Sequence, residues 1–160
     1  MCGIIGFTGR KPAKDILIDG LERLEYRGYD SAGIALLNDD DTLTIRKKAG
    51  RVSELRELCK DGDYSSTCGI GHTRWATHGG VTDANAHPHR CGNVALIHNG
   101  IIENYSDIIR EYGLADKLVS ETDSEVVAAL LDTLYDGDPI AAIRKAVKII
   151  AGSFAHSIMF

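Results

Sequence analysis

The order of apolar and polar positions predicts short strands and helices that follow one another without a regular repeat. In the first half, three leucines spaced as on one helix face, Leu17, Leu21 and Leu24, follow Pro12, which suits the first turn of a helix. Two strand-like runs flank the sequence Asn-Asp-Asp-Asp, a pattern typical of a hairpin. The predicted elements are a strand at 3–8, a helix from 12 to about 25, strands at 32–37 and 42–48, a helix around 52–59 and a strand at 67–72.

The second half of the chain predicts three helices between two strands. Thr122 and Glu125 precede an apolar run with the spacing of a capping box. Asp138 and Pro139 supply a cap and a first-turn proline for the last helix. The positions expected to face inward in that helix are Ile140, Ile143 and Val147. The predicted elements are a strand at 93–98, helices from about 103 to 112, from 123 to 135 and from 139, and a strand at 153–160.

A loop of about twenty residues, RWATHGGVTDANAHPHRCG, separates the strands at 67–72 and 93–98. Loops of this length without secondary structure are usually functional or disordered, and a loop with Trp, Arg and three His has a poor composition for disorder. We therefore expect a binding loop. The mixed order of hairpins and helices, without regular alternation of strand and helix, favours an α+β layered sandwich over a doubly wound parallel sheet.

Composition places the chain among ordinary globular proteins. It has 160 residues, 44% apolar and 26% charged, which fits one domain or part of one. A net charge of -5 gives no basic field for phosphate backbones, so we expect no nucleic-acid partner. No apolar run approaches the roughly 20 residues that span a bilayer, and the start does not resemble a signal peptide, so we expect no membrane partner and a cytoplasmic location. The four cysteines lack the spacing of a disulfide framework and are expected to be free thiols.

The first candidate for chemistry is Cys2, which follows Met1 and precedes Gly3. Removal of Met1 would place a thiol and a free α-amino group on one residue. The ordinary pKa of such an amine is about 7.7–8.0 and that of the thiol about 8.5, so both can act near neutral pH. N-terminal nucleophiles use this pairing, with the amine accepting the proton of the nucleophile. The alternative is that cysteine occupies this position by chance.

Two further segments carry charged side chains beside glycines. In RGYDSAG, the simplest interpretation makes Arg27 and Asp30 a structural ion pair at a tight turn. In HTRWATHGG, the guanidinium of Arg74 could bind a carboxylate with a hydroxyl nearby, and the glycine pair could let the loop close over a ligand. The alternative leaves Arg74 solvated and makes Trp75 a core residue.

Three later segments are weaker signals by themselves. Asn99 and Gly100 end the predicted strand, where an amide and a backbone N–H could stabilise an oxyanion, although Asn-Gly is also an ordinary turn. The acidic residues of SETDSE could bind an ammonium group or only cap the following helix. The segment NAHPHRC, residues 85–91, could hold zinc, although the spacing of its histidines and cysteine matches no common zinc site. Its candidate ligands are His87, His89 and Cys91, with Cys59 or Cys68 as a fourth.

Six ordered segments, CGI, LEYRGYDSAG, GHTRWATHG, NAHPH, HNGIIEN and SETDSE, together resemble the N-terminal class II glutaminase domain of the glutamine–fructose-6-phosphate aminotransferases. This resemblance implies a four-layer αββα sandwich of the N-terminal nucleophile hydrolase type, in agreement with the α+β prediction. It implies that residues 1–160 are a glutamine amidotransferase type-2 domain without its last third and without the sugar-isomerase domains. A chain of this extent is expected to be unstable alone or to self-associate, because buried strands would lose their neighbours.

The resemblance also implies roles for individual residues. Cys2 is the nucleophile, its α-amine is the base, and Asn99 and Gly100 form the oxyanion hole. Glutamine's two charged ends are assigned to Arg74 and Thr77, for the carboxylate, and to Asp123, for the ammonium. The remaining positions are His78 on a closing loop, His87 near the site, Trp75 as the gate to an ammonia channel, and Arg27 near the nucleophile.

The implied reaction is the hydrolysis of L-glutamine to glutamate and ammonia through a γ-glutamyl thioester. In the full-length enzyme, implied to be a homodimer, ammonia passes to an isomerase domain that converts fructose 6-phosphate to glucosamine 6-phosphate. No metal or organic cofactor is implied. The alternatives are a glutaminase domain serving another acceptor, a non-catalytic glutamine-binding or interaction module, and a zinc-binding module.

Overall fold

The computed structural model describes residues 2–76 and 79–160, and the chain divides into two compact units after Pro88. Unit 1 extends to Pro88 and unit 2 is His89–Phe160. Each unit contains one antiparallel sheet with helices packed against it. Within the described residues, no helix has the length and apolar character needed to cross a membrane.

Unit 1 is built on a four-stranded sheet with the strand order β1-β4-β2-β3. All neighbouring strands in this sheet are antiparallel. Its elements are β1 (Gly3–Thr8), α1 (Ala13–Leu24), a 3₁₀ turn (Glu25–Arg27), β2 (Ser31–Leu37), β3 (Leu43–Ala49), α2 (Val52–Leu58) and β4 (Cys68–Arg74). The predicted helices and strands of this half are confirmed to within two residues at each end.

The core of unit 1 lies between the sheet and the helices α1 and α2. Leu17 and Leu21, which the helical spacing predicts on one face of α1, are fully buried, and Leu24 is partly buried. Ile34 and Leu36 of β2 alternate onto the same side of the sheet and belong to the same apolar cluster. The predicted hairpin is also confirmed, because β2 and β3 pair from Ser31 opposite Ala49 to Leu37 opposite Leu43.

Unit 2 contains a three-stranded sheet with the strand order β5-β6-β7. Its elements are β5 (His89–Cys91), β6 (Val94–Ile102), α3 (Tyr105–Tyr112), a 3₁₀ turn (Ala115–Lys117), α4 (Asp123–Leu134), α5 (Pro139–Ile149) and β7 (Gly152–Met159). Helix α4 packs on β6, and its residues from Ser124 to Leu131 are all buried. The apolar faces of α4 and β6 form most of the core of this unit.

Both predicted helix caps in unit 2 are present. The Thr122 hydroxyl accepts the Glu125 N–H at 3.3 Å, and the Asp138 carboxylate accepts the N–H groups of the second and third residues of α5 at 2.9 and 3.0 Å. The Glu125 side chain departs from the reciprocal bond of a capping box. Its carboxylate accepts the N–H groups of Val119 and Ser120 instead, which closes the turn before the helix.

Three sequence predictions for unit 2 are wrong. Strand β5 lies inside the segment predicted as a loop, and it is too short for a periodic signal. Asn99 and Gly100 do not end their strand, because β6 continues to Ile102 and pairs with β7 along this stretch. The inward face of α5 is formed by Ala142 and Ala146. Of the three predicted inward residues, Ile143 packs against the core, whereas Ile140 is 57% exposed and Val147 is 51% exposed.

The error in α5 has a simple physical cause. Alanines on the buried face allow α5 to approach α4 closely, so the smaller side chains mark the contact and two of the larger ones lie outside it. A pattern that scores large apolar residues therefore selects a face rotated away from the buried one.

Candidate active site

Cys2 lies immediately before β1, and its sulfur contacts the backbone of Trp75. The Trp75 N–H donates to Cys2 Sγ at 3.2 Å, and the thiol lies 3.7 Å from the Trp75 carbonyl oxygen. The β1–β4 register produces this contact, because Gly3 pairs with Thr73 and the two chains continue side by side. The Thr73 hydroxyl also accepts the Gly3 N–H at 3.2 Å. The Cys2 sulfur thus accepts a hydrogen bond from a fixed backbone donor.

The turn that follows α1 holds the backbone around Trp75. The Asp30 N–H donates to the Arg74 carbonyl oxygen at 3.0 Å, and the Asp30 carboxylate accepts the Ala76 N–H at 2.8 Å. A Cβ on Gly28 would lie 2.8 Å from the Arg74 carbonyl carbon, so only glycine permits this approach. The Asp30 carboxylate, predicted to pair with Arg27, therefore binds the backbone just after Trp75, whose N–H contacts the Cys2 sulfur. Arg27 itself ends the 3₁₀ turn and is half-buried.

Trp75 is not a core residue. Its side chain is 44% exposed, and its indole meets the Tyr29 ring edge-to-face with centroids 5.4 Å apart. This arrangement fixes the indole against Tyr29 while leaving part of its apolar surface open to a ligand. The alternative in which Trp75 fills the core is wrong.

Arg74 is buried, in contrast to the solvated alternative. Its side chain is only 4% exposed, and Nη1 donates to the Gly80 carbonyl oxygen at 3.1 Å. The Asn85 amide donates to the same oxygen at 3.0 Å, so both side chains hold the backbone at Gly80. A guanidinium stays protonated when buried and presents a planar set of donors suited to a carboxylate. Thr77 and His78 lie outside the described residues.

The loop after Gly80 is held against unit 1's sheet. The Lys47 ammonium donates to the carbonyl oxygens of Ala84 and Ala86 at 2.9 and 2.8 Å. The Asp83 carboxylate accepts the Ala49 N–H at 2.7 Å and pairs with Lys48 at 3.0 Å. Several hydrogen bonds therefore fix this part of the loop on the sheet. This agrees with the expectation, drawn from the loop's composition, that it is not disordered.

His87 lies beneath this loop and is almost fully buried. Its ring stacks on the buried ring of His72 with centroids 4.2 Å apart. Its carbonyl oxygen would lie 2.2 Å from a Cβ on Gly33, so the loop touches the backbone of β2 directly. His87 is thus placed to support the loop that continues from Arg74.

In unit 2, Gly100 lies on a strand position that turns its N–H away from β7. The Glu103 N–H donates to Ala151 O at 2.9 Å, and hydrogen-bonded pairs alternate along an antiparallel ladder. Gly100 and its partner Phe154 therefore form a non-hydrogen-bonded pair. Gly100 is solvent-exposed with φ +139, a conformation that favours glycine. The Gly100 N–H therefore points away from β7, on the side of the strand where Asp123 contacts β6.

Asp123 lies on the same edge of β6 as the Gly100 N–H. It begins α4, and its carboxylate accepts the Ile102 N–H at 2.8 Å. Ile102 is two residues beyond Gly100, so the two N–H groups point the same way and are about 7 Å apart by strand geometry. Asp123 is partly exposed, which leaves carboxylate surface for an ammonium group.

Two buried residues behind this edge were not singled out by the sequence. His98 Nδ1 lies 2.9 Å from Ser124 Oγ, and the Ser124 hydroxyl donates to Asp123 Oδ1 at 3.4 Å. Burial lowers the pKa of His98 against the opposing charge of Asp123. Burial, with a smaller effect from His98, lowers the pKa of His156 on the paired strand to about 4. A histidine among apolar strand residues gives no sequence signal that it contacts Ser124 and, through Ser124, Asp123.

The predicted zinc ligands are engaged in other contacts. His89 Nε2 lies 3.0 Å from Thr122 Oγ1, and the Cys91 thiol lies 3.8 Å from an Asp132 carboxylate oxygen. Across residues 2–76 and 79–160, no group of three His, Cys, Asp or Glu side chains could hold a metal ion. Burial raises the pKa of the Cys59 and Cys91 thiols, which makes both poorer nucleophiles.

The predicted site residues thus form two local groups. Within unit 1, the Cys2 sulfur lies against Trp75, and Arg74 precedes Trp75 on β4. Within unit 2, Asn99 and Gly100 share one strand with the N–H that binds Asp123.

Comparisons with known proteins identify the family of this chain. The family described as "Glutamine amidotransferase domain" matches residues 72–160. Proteins named glutamine–fructose-6-phosphate aminotransferase (isomerizing) are 51% identical in Caldanaerobacter subterraneus subsp. tengcongensis and 52% in Fusobacterium nucleatum subsp. nucleatum, each over 99% of this chain. The chain spans about a quarter of the length of these curated relatives, 26% and 27%.

Solved structures share the fold. The glutamine phosphoribosylpyrophosphate amidotransferase from B. subtilis, complexed with ADP and GMP, matches 99% of this chain and 35% of its own, with a TM-score of 0.83 and 27% identity. A structure described as the allosteric regulatory enzyme of purine biosynthesis matches the same shares, with a TM-score of 0.84 and 28% identity. The predicted α+β class of the N-terminal nucleophile hydrolase type is confirmed. Because the family match covers more than half of the sequence, this chain belongs to the glutamine amidotransferase domain family.

Proposed function

We propose that this chain hydrolyses L-glutamine to glutamate and ammonia, with Cys2 as the nucleophile. Family membership supports the substrate class. The observation that carries the assignment of the nucleophile is the Trp75 N–H, which donates to Cys2 Sγ at 3.2 Å. The thiols of Cys59 and Cys91, whose pKa is raised by burial, are much less suited to attack an amide.

The proposed reaction has two steps. With Met1 removed, the α-amine of Cys2 accepts the thiol proton, and Sγ attacks the side-chain amide carbon of glutamine. The tetrahedral intermediate expels its nitrogen as ammonia, which takes up the proton, and leaves a γ-glutamyl thioester. Water then cleaves the thioester to glutamate and restores the thiol. The Asn99 amide and the Gly100 N–H are the donors assigned to the oxyanion of each tetrahedral intermediate.

The remaining residues are assigned to substrate recognition. Arg74 and Thr77 bind the α-carboxylate, for which a buried guanidinium is suited. Asp123 binds the α-ammonium, since its carboxylate is only partly occupied by the Ile102 N–H. The supporting positions are His78 and His87 on the loop, Trp75 as the gate for ammonia, and Arg27 beside the nucleophile.

For the complete protein, we propose that the ammonia converts fructose 6-phosphate to glucosamine 6-phosphate. Relatives about 50% identical to this chain are named for that aminotransferase activity. Residues 1–160 are then a type-2 glutamine amidotransferase domain, and fructose 6-phosphate binds only to isomerase domains outside this chain. The proposal includes a cytoplasmic homodimer without cofactor, nucleic-acid partner or membrane partner.

A second candidate is the glutaminase part of an amidotransferase with another acceptor. It is favoured by the structural likeness to the phosphoribosylpyrophosphate amidotransferase, with a TM-score of 0.83 over 99% of this chain. Steady-state assays of the complete protein with each acceptor distinguish the two, because only the true acceptor is aminated at the expense of glutamine.

The test of the nucleophile measures ammonia release from glutamine by the processed, complete protein. Cys2→Ala should lower the rate by more than about 10⁴-fold, the scale of nucleophile removal in other acyl-transfer hydrolases. Cys68→Ser is the matched control, since it changes another partly buried thiol and should leave the rate within about twofold. A glutamine-analogue diazo-ketone should label Cys2 alone, as located by peptide mass spectrometry.

Retention of Met1 provides an independent check. The nitrogen of Cys2 is then a peptide amide without basicity, so protein whose intact mass includes Met1 should release essentially no ammonia. Undiminished release by either that protein or Cys2→Ala would rule out the proposed nucleophile. Glutamine binding without turnover by the processed protein would instead identify a non-catalytic module.

A further inference from the structure

His98 is a polar residue placed in the apolar core of unit 2. It is 3% exposed and lies on β6 between Leu96 and Ile102, which occupy the same strand face and belong to the core cluster. Burying an imidazole costs free energy unless it is hydrogen-bonded. The 2.9 Å contact with the buried Ser124 hydroxyl at the start of α4 compensates that cost, and a leucine would fill the position without it.

The contact extends to the carboxylate proposed to bind the substrate ammonium. The Ser124 hydroxyl has one proton, and it donates that proton to Asp123 Oδ1 at 3.4 Å. His98 must then donate to Ser124 through Nδ1, since the hydroxyl can only accept. The other oxygen of Asp123 accepts the Ile102 N–H of β6 at 2.8 Å. Both Asp123 carboxylate oxygens thus accept hydrogen bonds that link α4 to β6. One comes directly from the Ile102 N–H, and the other comes from Ser124, which His98 contacts.

The opposite side of the same ring supports the proposed oxyanion donor. His98 Nε2 lies 2.9 Å from the position that a Cβ on Gly100 would occupy. The imidazole therefore lies directly against the backbone whose N–H is assigned to the oxyanion. One side chain contacts the strand that carries Gly100 and, through Ser124, the helix that carries Asp123.

A neutral imidazole suits this position. The substrate ammonium requires a negatively charged carboxylate at Asp123. A positively charged imidazolium at His98, linked to Asp123 through Ser124, would compete with the ammonium for that charge. Burial keeps His98 neutral near pH 7 by lowering its pKa. Its cross-strand neighbour His156, with ring centroids 4.8 Å apart, is partly buried, and its pKa of about 4 keeps it neutral at that pH as well.

We propose that His98, through Ser124, is a positioning residue that sets the ammonium-binding carboxylate of Asp123 at a fixed place relative to the Gly100 N–H. This inference rests on the proposed function and deepens it. The two groups recognise the two ends of glutamine that must be held while the amide reacts, so their separation selects an α-amino acid amide of this length. A shift of about 1 Å in such a group can lower a rate by about 100-fold.

The experiment compares two substrates in the processed, complete protein: L-glutamine and glutaramic acid, the same amide without the α-amino group. We expect His98→Leu and Ser124→Ala to lower kcat/KM for glutamine by about 10- to 100-fold. The value for glutaramic acid, which has no ammonium to place, should change by less than about threefold. His98→Asn, whose amide can donate near the Nδ1 position, should restore most of the preference for glutamine.

His156→Leu is the matched control, because it removes a second imidazole that lies against His98 and whose Nε2 has no hydrogen-bond partner among the described residues. It should leave the ratio of the two kcat/KM values within about threefold of the wild-type ratio. Ser124→Ala removes one oxygen and keeps the helix packing, so it tests the same link if the His98 variants fold poorly. An equal fall for both substrates in Ser124→Ala would indicate a merely structural role and overturn the inference.

The outcomes also separate this inference from the proposed function. A wild-type protein that releases no ammonia from glutamine would overturn both. Wild-type turnover with an unchanged substrate ratio in His98→Leu and Ser124→Ala would overturn the positioning role alone. Loss of preference in those two variants, with rescue by His98→Asn, would support it.

Discussion

Gly100→Ala should weaken the pairing of β6 and β7 far more than an ordinary glycine substitution does. A Cβ at this position would lie 2.0 Å from the Ser153 carbonyl oxygen and 2.8 Å from the Phe154 Cα, both on the paired strand. Because those contacts are backbone atoms, no side-chain rotation relieves them, and β7 must move away. The backbone φ of +139 adds strain for any residue with a Cβ.

The expected cost follows from two contributions. Backbone strain at such a position costs about 1–3 kcal/mol. Displacement of β7 also weakens the hydrogen-bonded pairs on either side, at about 1 kcal/mol for each bond lost, so two lost bonds bring the total to about 3–5 kcal/mol. Gly137→Ala is the matched control, because Gly137 has φ +102 but no atom within 4 Å of its Cβ position. It carries the strain alone, so the two variants should differ by about 2 kcal/mol.

Peptide-level hydrogen exchange measures this difference locally in the complete protein. A gap of about 2 kcal/mol corresponds to roughly 30-fold faster exchange of the amides of β6 and β7 in Gly100→Ala than in Gly137→Ala. Exchange at α1 serves as an internal reference in unit 1. Equal protection of β6 and β7 in the two variants would refute the close approach of the strands at Gly100.

Two other predictions test the loop and a buried histidine. Gly33→Ala places a Cβ 2.2 Å from the His87 carbonyl oxygen, so limited proteolysis should cut residues 79–88 faster in this variant than in the wild type. Gly80→Ala is the control, because the nearest atom to its Cβ position is 3.8 Å away. Equal cleavage of the two variants would contradict the contact between Gly33 and His87. The pKa of His156 in the folded protein is about 4, below its ordinary value of 6.5. Between these pH values the unfolded chain binds more protons than the folded one. The free energy of unfolding should therefore fall as pH falls from 6.5 to 4, by up to about 3 kcal/mol. Urea midpoints should therefore depend less on pH in His156→Phe than in the wild type, and an unchanged dependence would refute this.

Local signals were sufficient for most of the secondary structure. Strand β1 occupies the predicted residues, and α4 begins after the predicted Thr122 cap, because each signal depends on neighbours along the chain. The α+β class follows from the same order of elements. Strand β5, with three residues, depends on pairing with β6 and gives no pattern of its own.

The candidate site was predictable as a set of residues but not as a set of contacts. The motif order indicates Cys2, Arg74 and Asp123, yet nothing in the sequence shows that a backbone N–H donates to the Cys2 sulfur. Asp30 illustrates the difference, since charge alone favours a pair with Arg27 whereas the fold directs its carboxylate to the Ala76 N–H. Contacts between residues far apart in the sequence, such as Cys2 and Trp75, depend on strand register. Side-chain patterns specify that register only after the paired strands are known.

Glycines in these motifs allow close contacts around the proposed site residues. A Cβ on Gly3 would lie 2.7 Å from the Thr73 hydroxyl, one on Gly28 would lie 2.8 Å from the backbone of Arg74, and one on Gly100 would lie 2.0 Å from the Ser153 carbonyl oxygen. Each glycine therefore lets a second segment approach a residue of the proposed site more closely than any other amino acid allows. The close pairing of β1 and β4 also brings the Trp75 N–H to the Cys2 sulfur, to which it donates at 3.2 Å. These three glycines therefore help to hold the proposed site residues in place, together with the hydrogen bonds of the charged side chains.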